Sequence, residues 1–197
     1  MKAVVLFSGG YDSTVVLKMA VDLYSSSGVE ALFFAYGQEN RAAELRSASA
    51  IAAKFGVKFH VVPLGLDIIS SGLTGGVPVP GAPFPEWMPM RNITMLSIAM
   101  ARAVVVGASS VYLGGTKDDL SPDSSKSMEA VFAAVAEAAL PPAVPRPGVR
   151  CLLGGVTKRE VLKIGKKLGV PFDLATTCYR GTDCGKCKAC KAFAEAS

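Results

Sequence analysis

Short apolar runs alternate with amphipathic stretches along this 197-residue chain. Residues 3–7 read AVVLF and residues 30–36 read EALFFAY, runs rich in side chains that favour extended backbone. Each is followed by a stretch with helical spacing of apolar positions, 12–26 after the first and 39–56 after the second. A third strand is predicted over 58–64, a helix over 93–108 and a fourth strand over 110–115. Strands that alternate with helices imply parallel βαβ units, and near-continuous apolar strands fit a sheet covered on both faces. The predicted fold is therefore α/β, a Rossmann-like parallel sheet with helices on both faces.

Two stretches interrupt the alternation. Residues 65–90 are rich in Gly and Pro and too long for an idle connection, which suggests a functional lid or disorder. Residues 140–150, LPPAVPRPGVR, read as a semi-rigid linker. Beyond it lie a short strand or edge in VRCLLGG (149–155), a helix from Thr157 to Leu168 and a cysteine-rich tail. Thr157 with Glu160 three residues on forms a capping-box pattern at that helix start.

Half the residues are hydrophobic and 19% are charged, which describes a compact chain and excludes a disordered one. No apolar run approaches the roughly 20 residues that span a bilayer, and the N-terminus lacks the pattern of a secretory signal. The expectation is a cytoplasmic protein without a membrane partner. The net charge of +5 comes largely from 158–167 and 186–191. Such charge usually forms a solvated helix face, or serves an anionic small substrate, so direct nucleic-acid binding is not expected.

The chemistry concentrates at the first junction, VVLFSGGYDSTVVLK, residues 4–18. Gly9 and Gly10 allow a tight turn with inward N–H groups, and the following helix N-terminus adds its positive dipole end. Ser8, Ser13 and Thr14 add hydroxyls. No Gly-Lys-Ser/Thr follows, so this is not a Walker loop, and the dinucleotide fingerprint G-x-G-x-x-G is absent. An ordinary turn with Asp12 or Ser13 as the N-cap also accommodates a bare Ser-Gly-Gly. The full string Ser-Gly-Gly-Tyr-Asp-Ser resembles the pyrophosphate-binding S-G-G-x-D-S loop of the ATP pyrophosphatases, adenylate-forming enzymes of adenine nucleotide alpha hydrolase-like fold. That resemblance implies ATP held by Phe7, Ser8, Gly9, Gly10, Tyr11, Asp12, Ser13 and Thr14. An anionic Asp12 beside phosphates makes sense with bridging Mg²⁺.

At the other end, Cys178, Cys184, Cys187 and Cys190 fall within thirteen residues as C-x5-C-x2-C-x2-C. In a cytoplasmic chain this spacing suits thiolates converging on one centre rather than disulfides. Tetrahedral Zn²⁺ and an iron–sulfur cluster both use such runs. The expected division is an α/β domain over 1–175 and a metal-binding tail over 176–197.

Three further stretches, AYGQE (35–39), MPMRN (88–92) and the Cys178-Tyr179-Arg180-Gly181 that opens the tail, complete a closer match. Taken in order over nearly the whole chain, they resemble the 7-cyano-7-deazaguanine synthases, nitrile-forming ATP ligases of queuosine biosynthesis. The resemblance implies Zn²⁺ at the four cysteines, adenine near Tyr36 and Gln38, and a homodimer. The substrates it implies are 7-carboxy-7-deazaguanine and ammonia, with ATP adenylating first the acid and then the amide. Asp12, Arg91 and Lys158 are the expected catalytic residues, with Lys117 a weaker cationic candidate. Arg91, Asn92, Asp119 and Asp123 are the expected substrate contacts, a carboxylate suiting the adjacent N–H donors of a guanine-like base. His60 is expected to be structural, Cys151 a buried inert thiol, and Trp87 either a stacking or a packing residue.

The chain departs from the family pattern at a few places. Asn40 stands where a His is usual, DDLSPDSS (118–125) is shortened, and Lys191 replaces an Arg. The departures leave open a variant that stops at 7-amido-7-deazaguanine. A tRNA-modifying ATP pyrophosphatase is the other alternative, although the chain has little room for an RNA-binding domain.

Overall fold

The computed structural model describes residues 2–66, 68–69, 71–181, 184–187, 190–191 and 194. Its five strands are β1 (Ala3–Leu6), β2 (Val29–Ala35), β3 (Lys58–Pro63), β4 (Ser110–Tyr112) and β5 (Gly148–Arg150). They pair in the order β3-β2-β1-β4-β5, every pair parallel. The chain moves outward from β1 in one direction and then returns to its other side. The order therefore reverses between β1 and β4, and in an open parallel sheet ligands bind in the crevice beyond the strand C-termini at that point.

Among the described residues the sheet is covered by α1 (Tyr11–Tyr24), α2 (Arg41–Phe55), α3 (Arg91–Val106), α4 (Met128–Ala139) and α5 (Lys158–Lys167). The two-residue period of β1 divides the core. Val4 and Leu6 face one side with Leu96 and Ala99 of α3 and Phe132 of α4. Ala3, Val5 and Phe7 face the other with Val16 of α1, Ile51 of α2 and Val161 of α5. Leu96 and Phe132 are almost fully buried, so truncating either to Ala should cost about 2–5 kcal/mol through lost transfer energy and a cavity.

The pattern of apolar positions located β1 to β4 within a few residues. It missed α4, whose alanine-rich sequence shows little polar contrast; its buried face is Met128, Phe132 and Ala136. The expected linker 140–150 ends in β5, so the last strand starts earlier than 149 and Cys151 lies just past it. Residues 65–90 are not idle: Leu66, Leu73 and Met88 are buried in the α3 side of the core. Among the described residues no helix is long and apolar enough to cross a membrane.

Candidate active site

A cavity of about 270 Å³ opens at the strand C-termini, where the order reverses. Its floor is the β1–α1 junction. Gly9 there has φ +78°, and a Cβ added to it would stand 2.6 Å from the Ala48 backbone nitrogen of α2. Only glycine satisfies both the conformation and the close approach. Gly10, which lines the cavity, is the N-cap of α1, and no side chain among the described residues caps the helix, so its dipole end is open there. The Ser8 and Ser13 hydroxyls lie 3.1 Å apart, and the Gly10 N–H donates to Ser8 Oγ at 3.3 Å. These bonds hold the loop in a concave form that suits an anion.

Asp12 and Lys158 meet in this mouth. Lys158 Nζ makes a very short contact with Asp12 Oδ2 and lies 3.3 Å from Asp119 Oδ1. Burial pushes the Asp12 carboxyl above its ordinary value, with Lys158 pulling in the other direction. Burial also works against the Lys158 cation, but Asp12 and Asp119 outweigh it and hold the ammonium charged. Asp12 Oδ1 is buried and has no hydrogen-bond partner among the described residues. A buried carboxylate oxygen without a donor is costly unless something absent here completes it. A hard divalent cation with oxygen ligands is the chemistry that fits, so Asp12 could hold Mg²⁺.

The remaining walls come from distant parts of the chain. Lys158 begins α5 behind the Thr157–Glu160 capping box, and its N–H donates to Asp118 Oδ2 at 2.7 Å. Arg91 begins α3, donates to the Tyr36 hydroxyl at 3.3 Å and lies 5.6 Å from the centre of that ring. Met90 before it has φ +59°, a conformation uncommon for a side chain of this size. Leu32, Phe34, Leu73, Met88 and Met95 form an apolar patch beside Arg91, of the kind a planar base needs. Trp87 also lines the cavity and donates to Ser121 Oγ at 3.2 Å, which ties the 65–90 segment to the β4 side.

A second centre adjoins the first. The Sγ atoms of Cys178, Cys184, Cys187 and Cys190 lie within 4.8 Å of one another. Tetrahedral ligation with metal–sulfur bonds of about 2.3 Å sets the sulfurs about 3.8 Å apart, so the cluster fits one ion. An iron–sulfur cube, with one thiolate per iron, spreads them wider. Backbone N–H groups of Arg180, Cys187 and Cys190 point at Cys178, Cys184 and Cys187 sulfurs at 3.4 Å each, the outer support that metal thiolates usually have. Lys186 and Lys191 are exposed; Lys188, grouped with them in the sequence, lies outside the described residues.

A family model described as queuosine biosynthesis protein QueC matches residues 2–196. The chain belongs to this family. It is 38% identical over 213 residues to the 7-cyano-7-deazaguanine synthase of Stenotrophomonas maltophilia, covering 99% of this chain and 95% of that one. The synthase of Xanthomonas campestris is also 38% identical, over 96% of this chain and 90% of its own. Among solved structures, an ammonia-dependent NAD synthetase from Campylobacter jejuni superposes with TM-score 0.55 at 14% identity, over 88% of this chain and 66% of that one. The tRNA thiolase NcsA from Methanococcus maripaludis, solved with its 4Fe-4S cluster, gives 0.54 at 16%, over 91% and 63%. At these identities the two neighbours establish the fold alone.

Within this QueC-family chain, most residues expected at the site converge. Phe7, Ser8, Gly10, Tyr11, Asp12, Ser13, Tyr36, Gln38, Arg91, Asn92, Asp119 and Lys158 all line the cavity. Six expectations change. Thr14 is fully buried, its hydroxyl donating to the Gly10 carbonyl at 2.8 Å, and Gly9 acts through backbone shape rather than by facing the cavity. Gln38 faces the cavity, but its amide donates to Phe34 O and Glu44 and accepts from Tyr36 N, so it shapes the loop. Asp123 turns away: Oδ2 accepts from Asn92 N at 2.9 Å, while Oδ1 accepts from Asn92 Nδ2 and Ser121 Oγ. It caps the start of α3 and positions Arg91 and Asn92. Lys117 is exposed and outside the lining, and the N-cap of α1 is Gly10, not Asp12 or Ser13.

Sequence reading missed Glu44, Thr176, Thr177 and Tyr179, all of which line the cavity. Glu44 sits in the first turn of α2, and its carboxylate accepts from Gln38 and Asn40 at 3.1 and 2.9 Å. Burial pushes that carboxyl up, against those hydrogen bonds and Arg91. A Glu just past a strand end was the available signal, but its direction depended on where α2 docks.

Proposed function

We propose that this chain converts 7-carboxy-7-deazaguanine and ammonia to 7-cyano-7-deazaguanine at the expense of ATP. The observation that carries the reading is the meeting of Asp12 and Lys158 at the uncapped N-terminus of α1, inside the cavity. In this reading the Ser8–Ser13 loop receives the departing pyrophosphate, and Lys158 leaves Asp12 to neutralise the phosphate charge. Mg²⁺ bound through Asp12 would shield the phosphates. Arg91 orients the reacting carboxylate, and the apolar patch at Leu32, Phe34 and Met95 takes a base.

The substrate carboxylate attacks the α-phosphorus, pyrophosphate leaves, and ammonia displaces AMP to give the amide. The amide oxygen is then adenylated in the same way and departs with AMP, leaving the nitrile. Asn92 and Asp119 remain the proposed contacts to the base edge, Asp119 sharing its carboxylate with Lys158. The four cysteines would hold Zn²⁺, as a structural tie of the 176–197 tail onto the 1–175 domain. The reading includes a homodimer in the cytoplasm with no direct nucleic-acid partner.

Purified protein given 7-carboxy-7-deazaguanine, ammonium and MgATP should release pyrophosphate and yield a product with the mass of the nitrile. A product mass stopping at the amide would reassign the enzyme to the first half-reaction. Intact ATP beside unchanged acid would refute both versions.

A further inference from the structure

We propose that the four-cysteine knuckle holds one wall of the active site, and that Asn40 is the positioning residue that couples the two. The inference rests on the reading above only in taking the cavity as an ATP site. The segment 176–181 touches both centres. At one end the Thr176 N–H donates to the Gly9 carbonyl of the nucleotide loop at 3.1 Å. Two residues on, Cys178 is a knuckle ligand that is 1% exposed. Two residues of backbone reach at most about 7 Å, so there is no slack between loop and knuckle. Thr176, Thr177 and Tyr179 of this strap all line the cavity.

Asn40 makes the second tie. It is 4% exposed, and its side-chain NH₂ donates to the Cys178 carbonyl at 3.1 Å and to Glu44 Oε1 at 2.9 Å. Both hydrogens of the amide are thus committed, one to the knuckle and one to a carboxylate that lines the cavity. Gly181, at φ +76°, closes the strap against the same turn of α2, where a Cβ would stand 3.2 Å from Ala43 Cβ. The first turn of α2 is therefore clamped between Gly9 on one side and the strap on the other. Asn40 stands where the family usually has a His.

The test uses the metal-loaded enzyme and measures four quantities: bound metal by mass spectrometry, KM, kcat, and the Kd of α,β-methylene-ATP in the presence of Mg²⁺, an analogue that cannot be cleaved at the reacting bond. Asn40→Ala should keep one metal per chain and kcat within about 3-fold, while KM and Kd for the nucleotide rise about 10-fold. Asn40→His, which returns a ring N–H, should recover most of the affinity. Unchanged Kd and KM in Asn40→Ala would overturn the coupling, as would a loss confined to kcat or a loss of the metal itself. If Asn40→Ala does not fold, Gly181→Ala strains the same strap and decides the matter by the same criteria. A wild-type enzyme that binds the analogue but makes no nitrile would refute the functional reading and leave this inference standing.

Discussion

Two carboxylates, one on β2 and one in the first turn of α1, show opposite design. Glu30, on the α3 side of β2, accepts from Arg102 at 2.8 and 3.1 Å, from Lys58 at 3.2 Å, and lies 3.0 Å from His60. These donors overcome its burial and hold the carboxyl down at about 2. Asp12, in the first turn of α1, has among the described residues the Lys158 cation beside one oxygen, no partner on the other, and a carboxyl pushed up by burial. Both are ion pairs, and only the incomplete one opens into the cavity. A fully partnered carboxylate stabilises the fold; one left short of partners costs stability and keeps capacity for a ligand.

The sharpest way to break that contrast is Asp12→Asn. Pyrophosphate release should fall about 10³-fold, roughly 4 kcal/mol of transition-state stabilisation. The melting temperature should move by no more than about 3 °C, under 1 kcal/mol for a chain of this length. A large drop in melting temperature would make Asp12 structural and erase the difference from Glu30.

Asp123→Ala comes next. It leaves the N–H groups of Asn92 without their acceptor at the start of α3, at a cost of about 1–3 kcal/mol. Calorimetry should record a melting temperature lower by about 3–10 °C, with KM for the acid substrate raised because Arg91 and Asn92 share that turn. Unaltered stability would return Asp123 to the role of substrate contact.

Glu30→Gln should cost on the order of 1–2 kcal/mol, less than the full shift implies because solvent screens the Lys58 partner, which is 61% exposed. Its kcat/KM at 25 °C should match that of the wild type; a fall in activity would show that the network reaches the site. The smallest effect is the pH dependence of that gap. The folded-state value of Glu30 lies below its ordinary 4.5, so its contribution is complete above about pH 5 and is lost as pH falls toward 2. Urea melts of wild type and Glu30→Gln should converge over that range. A gap that persists at pH 2 would mean packing, not charge, explains Glu30.

The local features were legible. The β1–α1 junction, the Thr157–Glu160 cap and the cysteine spacing are each encoded within a few neighbouring residues, where backbone preference and reach decide the outcome. Helix α4 was hidden by its run of alanines, and only the docking of Phe132 onto the sheet reveals its inner face. Glu44 and Tyr179 were silent for a related reason: an acid or a tyrosine in a loop or first turn says nothing about the cavity it borders. Asp123 and Gln38 carried the right chemistry, but nearby backbone and side-chain donors took their capacity.

By itself the sequence determined the order of the first four strands and the helices between them, the anion-binding turn and a four-thiolate tail, because these follow from contacts a few residues long. Only the tertiary structure decided which acids remain incomplete. Asp12 meets Lys158 across 146 residues, and Asn40 meets Cys178 across 138. Whether a buried polar group is satisfied depends on partners that folding brings from afar, and at this site that is what separates a functional carboxylate from a structural one.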